Sequence, residues 1–151
     1  FFYISGFLAF QWFLRNQDDG WKNIFLLYAS VWLADSAAYY IGTHAGKNKL
    51  YPAVSPNKSL EGALGSVLGG AIGALITQAI LSIPDFTAMK ALMIGAILGL
   101  AAVTGDLIES MFKRDAGVKD SSNLIPGHGG LLDKIDGLLI AGPILYLLLY
   151  F

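Results

Sequence analysis

An all-α integral membrane protein, a polytopic bundle of about five helical segments, is the fold class predicted by three features of the sequence. Of the 151 residues, 55% are hydrophobic and only 14% are charged, against roughly 25% charged in soluble domains. The mean hydropathy is +0.58. Several apolar runs approach the roughly 20 residues needed to cross a hydrocarbon core. The net charge of -1 gives no global reason to expect nucleic-acid binding, and the absence of cysteine removes disulfides, thiolate metal sites and a Cys nucleophile.

Along the chain, residues 1–14 form a short apolar run that needs preceding residues to cross a bilayer, and 15–22 form a polar turn containing Asp18, Asp19 and Gly20. The chain opens at Phe1 without Met and ends within an apolar run, so it reads as a fragment. Residues 23–42 are long enough to span and carry Asp35 in their second half. A polar connection, 44–61, contains Lys47, Lys49, Pro52, Pro56 and Lys58. Residues 62–83 are a glycine-dense span, and Pro84 and Asp85 mark a turn. A fourth helix starts at Met89 and continues to Phe112, gaining Asp106 and Glu109 near its end. After a polar loop over 113–130, residues 131–151 resume as a helix with amphipathic first turns and an apolar remainder.

Seven of the ten Lys and Arg residues lie in the 43–61 and 113–136 regions, with Arg15, Lys22 and Lys90 elsewhere. Positive charge marks cytoplasmic loops, so both regions are predicted to share that side and to be neighbours. Gly65, Gly69 and Gly73, with Gly95 and Gly99, form small-residue helix faces suited to close packing.

Asp106 and Glu109 stand at i and i+3 on the fourth helix, and Asp133 and Asp136 repeat that spacing on the fifth. Each pair shares a helix face. Grouped carboxylates repel one another and offer the hard oxygen ligands that suit Mg²⁺ and its phosphate partners. Taken singly, each pair also reads as ordinary solvated acids at helix ends. Between the pairs, Lys113 and Arg114 can neutralise phosphate oxygens, or serve only as a positive cluster against lipid head groups. Gly129 and Gly130 allow backbone N–H groups to approach a phosphate at the next helix N-terminus. His128 can bind phosphate, protonate a leaving group or shape the glycine turn, whereas His44 reads as structural. Asp35 within an apolar helix is a functional candidate because an unpaired intramembrane acid is costly, the competing reading being a helix–helix hydrogen bond involving Tyr39 or a loop Lys.

The stretch SMFKRDAGVKDSSNLIPGHGGLLDKID, Ser110 to Asp136, resembles the signature of the phosphatidate cytidylyltransferase family, S-x-h-K-R-x4-K-D-x-s-x2-h-P-x-H-G-G-h-x-D-R-h-D with h apolar and s small. Lys134 stands where the family usually has Arg, keeping the charge and losing the planar fork. Residues 55–62, SPNKSLEG, are similar to the family's S-P-K-K-T-x-E-G segment, departing at Asn57 and Ser59. With the segment from Asp35 to Gly42 and that from Gly105 to Ser110, the resemblance covers residues 35–136, and the first helix adds nothing to it.

The resemblance implies a membrane enzyme that joins CTP and phosphatidate into CDP-diacylglycerol and pyrophosphate, with Mg²⁺ and room for a second cation. It implies a homodimer in the cell inner membrane, with its site on the cytoplasmic side. Residues 1–22 are then a partial membrane helix and polar turn, and 23–151 a C-terminal catalytic domain. On this basis Asp106, Asp133 and Asp136 are the expected metal ligands, supported by Asp35 and Glu109. Lys119, Asp120 and His128 join those three acids as the catalytic set, and Ser55, Lys58, Glu61, Lys113, Arg114, Gly129, Gly130 and Lys134 are expected to bind substrate. The competing readings are an ether-lipid cytidylyltransferase, a CTP-dependent polyprenol kinase and an ion-coupled transporter, the last leaving the 113–136 constellation unexplained.

Overall fold

The computed structural model describes residues 2–83, 86–122 and 130–151. A π-helical turn, Phe2–Gly6, leads into α1 (Phe7–Arg15), followed by α2 (Gly20–Ala45), β1 (Lys49–Tyr51), β2 (Ser55–Ser59), α3 (Leu60–Leu81), α4 (Ala88–Asp115) and α5 (Leu132–Tyr150). Helices α2, α3 and α4 are long and apolar enough to cross a membrane. In α5 the apolar stretch begins at Gly137, after the charged turn that carries Asp133, Lys134 and Asp136.

The membrane bundle forms from these residues because small side chains line its seams. Gly65, Gly69 and Gly73 face α2, and a Cβ on Gly69 would sit 2.7 Å from that of Ala37. Gly95 and Gly99 face α3 instead, where the Ser66 hydroxyl donates to the Gly99 carbonyl at 2.9 Å. Backbones can meet this closely only without intervening side chains, and the approach supplies dispersion contacts that lipid cannot. On the far side of α3, Leu64, Leu68, Ile72, Ile76 and Ile80 recur every four residues and are exposed. An apolar stripe pointing outward fits a helix solvated by lipid.

The core lies where α1, α2, α4 and α5 converge, with Leu14, Leu27, Val31, Leu98, Leu138 and Leu145 buried together. α1 is tied to this core by the Tyr28 hydroxyl, which donates to Gln11 at 2.9 Å, and by the Phe10 ring packed edge-on against Tyr146.

Several boundaries differ from the sequence expectation, with α2 running on to Ala45 and α3 spanning Leu60–Leu81. α2 begins at Gly20 rather than Asn23, and α4 continues through Lys113 and Arg114 to Asp115. Basic residues in a last turn are favoured by the helix dipole, which explains why polarity did not end α4. The polar connection after α2 also contains an antiparallel hairpin, with Lys49 opposite Ser59 and Tyr51 opposite Ser55. The Ser59 hydroxyl then accepts from the Gly62 N–H at 3.1 Å and caps α3.

Candidate active site

A hydrogen bond and an ion pair join the connection between α2 and α3 to the C-terminal half of α4, and the first of them links the two basic regions, 43–61 and 113–136, that the charge distribution predicts to be neighbours. Lys58 Nζ on β2 lies 2.7 Å from Asp106 Oδ2 on α4, and Arg114 Nε donates to the Val54 carbonyl at 3.2 Å.

The site is organised by the crossing of α4 and α5. A Cβ on Gly105 would stand 2.5 Å from the Asp136 carbonyl oxygen and 2.9 Å from Gly137 Cα. Because the backbones touch here, Asp106 and Asp136 emerge beside one another, and Glu109 adds its carboxylate from the next turn of α4. Ligand oxygens of Asp106, Glu109 and Asp136 lie within 4.8 Å of one another. Glu109 is 1% exposed and Asp136 9%. Changing Gly105 to Ala should force the helices apart, costing about 1–3 kcal/mol as overpacking does and scattering the acids without removing a charge. Thermal unfolding in detergent, read beside metal binding, checks this.

Two lysines meet these acids. Lys113 Nζ sits 2.6 Å from Glu109 Oε2 and 2.7 Å from Asp133 Oδ1, while Lys58 serves Asp106. Glu109 Oε1 is buried and has no hydrogen-bond partner among the described residues. Buried carboxylate oxygens are normally satisfied, so one left over among three acids fits a cation ligand.

Asp133 points elsewhere. Besides Lys113, its carboxylate accepts from the Ser121 hydroxyl at 2.7 Å, the Ser121 N–H at 3.0 Å and the Gly130 N–H at 2.6 Å. Asp133 precedes the apolar stretch of α5 and lies outside the membrane-spanning segments. Burial alone would raise its pKa, but Lys113, Ser121 and Gly130 outweigh that effect and hold the carboxyl below its ordinary range.

A cavity of about 1060 Å³ opens onto this cluster. Its polar end brings together Asp35, Lys58, Asp106, Glu109, Lys113, Asp133, Lys134 and Asp136, and its other walls include Tyr28, Trp32, Tyr39, Val103 and Leu138. Among the described residues, the other expected ones lie outside its lining. Ser55 starts β2 outside the lining, and Lys119 and Asp120 are exposed in the loop. Arg114 donates to the Val54 and Val118 carbonyls at 3.2 Å each. Glu61 accepts from the Lys47 and Asn48 N–H groups. The Gly130 N–H is used by Asp133, and His128 and Gly129 lie outside the described residues.

Sequence reasoning passed over Ser121, Trp32 and Tyr28. Trp32, Asp35 and Tyr39 share one side of α2 by their i, i+3, i+7 spacing, which is the signal that could have found an aromatic wall beside the acid. No comparable pattern marks Ser121.

The whole chain, residues 1–151, matches the cytidylyltransferase family. It is 37% identical over 142 residues to a phosphatidate cytidylyltransferase of Staphylococcus epidermidis, covering 94% of this chain and 54% of the relative. Proteins of the same name from Staphylococcus aureus and Bacillus subtilis are 40% identical over 144 residues and 41% over 145, each with that same coverage. The chain therefore spans about half the length of the curated relatives it matches.

Proposed function

Because the chain belongs to the cytidylyltransferase family, we propose that it forms the catalytic part of a membrane enzyme that condenses CTP with phosphatidate. The observation that carries this reading is the cluster of Asp106, Glu109 and Asp136 at the polar end of a cavity whose other walls combine aromatic and aliphatic side chains with Ser36, Thr43 and Asn57. Such a cavity suits a substrate with a phosphate head and an apolar body. Charged chemistry at one end of membrane helices lets a lipid phosphate meet a water-soluble nucleotide.

Asp106, Glu109 and Asp136 would hold Mg²⁺, for which three hard carboxylates and the unpartnered Glu109 Oε1 are fitting donors. When bound, the ion would neutralise triphosphate oxygens and act as a Lewis acid at the reacting phosphorus. Asp35, beside these acids in the cavity, is the supporting ligand in this reading. Binding of a second cation and assembly as a homodimer belong to the same proposal, as does placement in the inner membrane with the site facing the cytoplasm.

The phosphatidate phosphate is anionic near neutral pH and needs no strong base to become a nucleophile. One of its oxygens forms a bond to the α-phosphorus of CTP while the bond from that phosphorus to the α–β bridging oxygen breaks. Pyrophosphate leaves, and no proton transfer is obligatory. The chain's task is therefore to position the reactants and stabilise spreading negative charge. Lys58, Lys113 and Lys134 put ammonium groups at the polar end for this purpose, while Trp32, Tyr39 and Leu138 shelter the lipid's apolar part. Asp133 holds Ser121 and Gly130 together where the loop returns to α5.

Position-specific labels in CTP test the reaction type. A parent-length protein in detergent, given Mg²⁺ and phosphatidate, should move the α-phosphate label into lipid and the γ-label into pyrophosphate. Transfer of the γ-label to lipid would instead identify a kinase. An absence of turnover by folded protein across several lipid phosphates would favour the transporter reading.

A further inference from the structure

The hairpin after α2 places one functional side chain and is otherwise unoccupied by the chemistry above. Its strands are only three and five residues long, and two-stranded hairpins of this size are marginal on their own in water. Yet its Lys58 must deliver an ammonium group to Asp106 at 2.7 Å along a flexible four-carbon stem.

Both ends of the hairpin are held by residues outside it. At the root, Glu61 in the first turn of α3 accepts from the Lys47 N–H at 3.2 Å, the Asn48 N–H at 3.2 Å and the Asn48 side-chain amide at 2.8 Å. The Leu60 N–H donates to the Asn48 carbonyl at 2.9 Å, closing the same junction. At the tip, Arg114 donates to the Val54 carbonyl from the end of α4. A carboxylate can accept all three donors at the root because it has two oxygens and no hydrogen of its own.

We propose that the hairpin Lys49–Ser59 is a positioning arm for Lys58 and that Glu61 is its root anchor, acting through Lys58 rather than by touching substrate. The assignment rests on the reading of Lys58 as a phosphate-end cation in cytidylyl transfer. It differs from the sequence expectation of Glu61 as a substrate-binding residue, because its carboxylate is committed to backbone and amide donors of the arm.

Two measurements on the parent-length protein test it. In a cysteine-free background, the pair Lys58→Cys and Asp106→Cys should be bridged by a bifunctional thiol reagent about as long as the lysine stem it replaces, and adding Glu61→Ala should slow that bridging about 10-fold as the arm loses its anchor. Glu61→Gln, which keeps one carbonyl acceptor, should slow it less. In the turnover assay, Glu61→Ala should lower kcat/KM about 10-fold when Lys58 is present and have little further effect in the Lys58→Ala background. Unchanged cross-linking, or a loss from Glu61→Ala that persists fully without Lys58, would overturn the proposal. Failure of the wild type to turn over CTP would sink the cytidylyl-transfer reading alone, and the cross-linking rates would still decide whether Glu61 anchors the arm.

Discussion

Asp136→Asn is expected to reduce cytidylyl transfer by more than about 100-fold, because losing a direct ligand should exceed the 10–100-fold cost of losing the residues that merely orient ligands. The side chain is nearly isosteric, so the α4–α5 crossing at Gly105 and Gly137 should survive. What disappears is one of three carboxyl groups whose oxygens converge within 4.8 Å. Asp106→Asn should behave likewise and also releases Lys58, its partner at 2.7 Å. Turnover at saturating CTP, measured across a Mg²⁺ titration, checks the prediction. A shift to much higher Mg²⁺ demand would identify lost metal affinity, and an unchanged rate would remove Asp136 from the chemistry.

Lys113→Ala is the substitution with the largest expected effect on stability. Lys113 is 15% exposed and bridges Glu109, 1% exposed, to Asp133. Removing one partner of a buried pair leaves the other charge uncompensated, at a cost of about 3–5 kcal/mol. The Glu109→Gln and Lys113→Met double substitution should recover much of that loss, since it removes both charges together. Reversible denaturation in mixed micelles separates these outcomes. Equal instability of the single and double variants would show that packing by the Lys113 stem, rather than its charge, matters at this position.

The helices were legible because burial in lipid demands long apolar runs, and the glycine seams because close helix packing demands small residues. The hairpin was not. Its second strand, Ser-Pro-Asn-Lys-Ser, lacks β-branched residues and alternating apolar positions, and its geometry comes from pairing with β1 and from anchors on α3 and α4. Local pattern carries no trace of such anchors.

The acidic pairs were legible as pairs, but their division of labour was not. An i, i+3 spacing says that Asp133 and Asp136 lie on one face of α5; it does not say which of them meets α4. The crossing at Gly105 and Gly137 decides this by bringing Asp136 against α4 while Asp133, nearly one turn earlier, meets the returning loop. The same crossing draws in Glu109, which the sequence ranked only as a supporting ligand. Arg114 shows a similar limit: beside Lys113 in a basic motif it reads as a phosphate ligand, and nothing in that motif signals that two of its donors reach the Val54 and Val118 carbonyls.

In the function proposed above, Asp106, Glu109 and Asp136 together form the divalent-cation site. Mn²⁺ binding followed by electron paramagnetic resonance, using parent-length protein in detergent without nucleotide, tests it most directly. The geometry predicts one saturable site that is lost in Glu109→Gln and Asp136→Asn and kept in Asp133→Asn. Loss in Asp133→Asn with retention in Asp136→Asn would contradict it and would move the cation to the mouth of the loop.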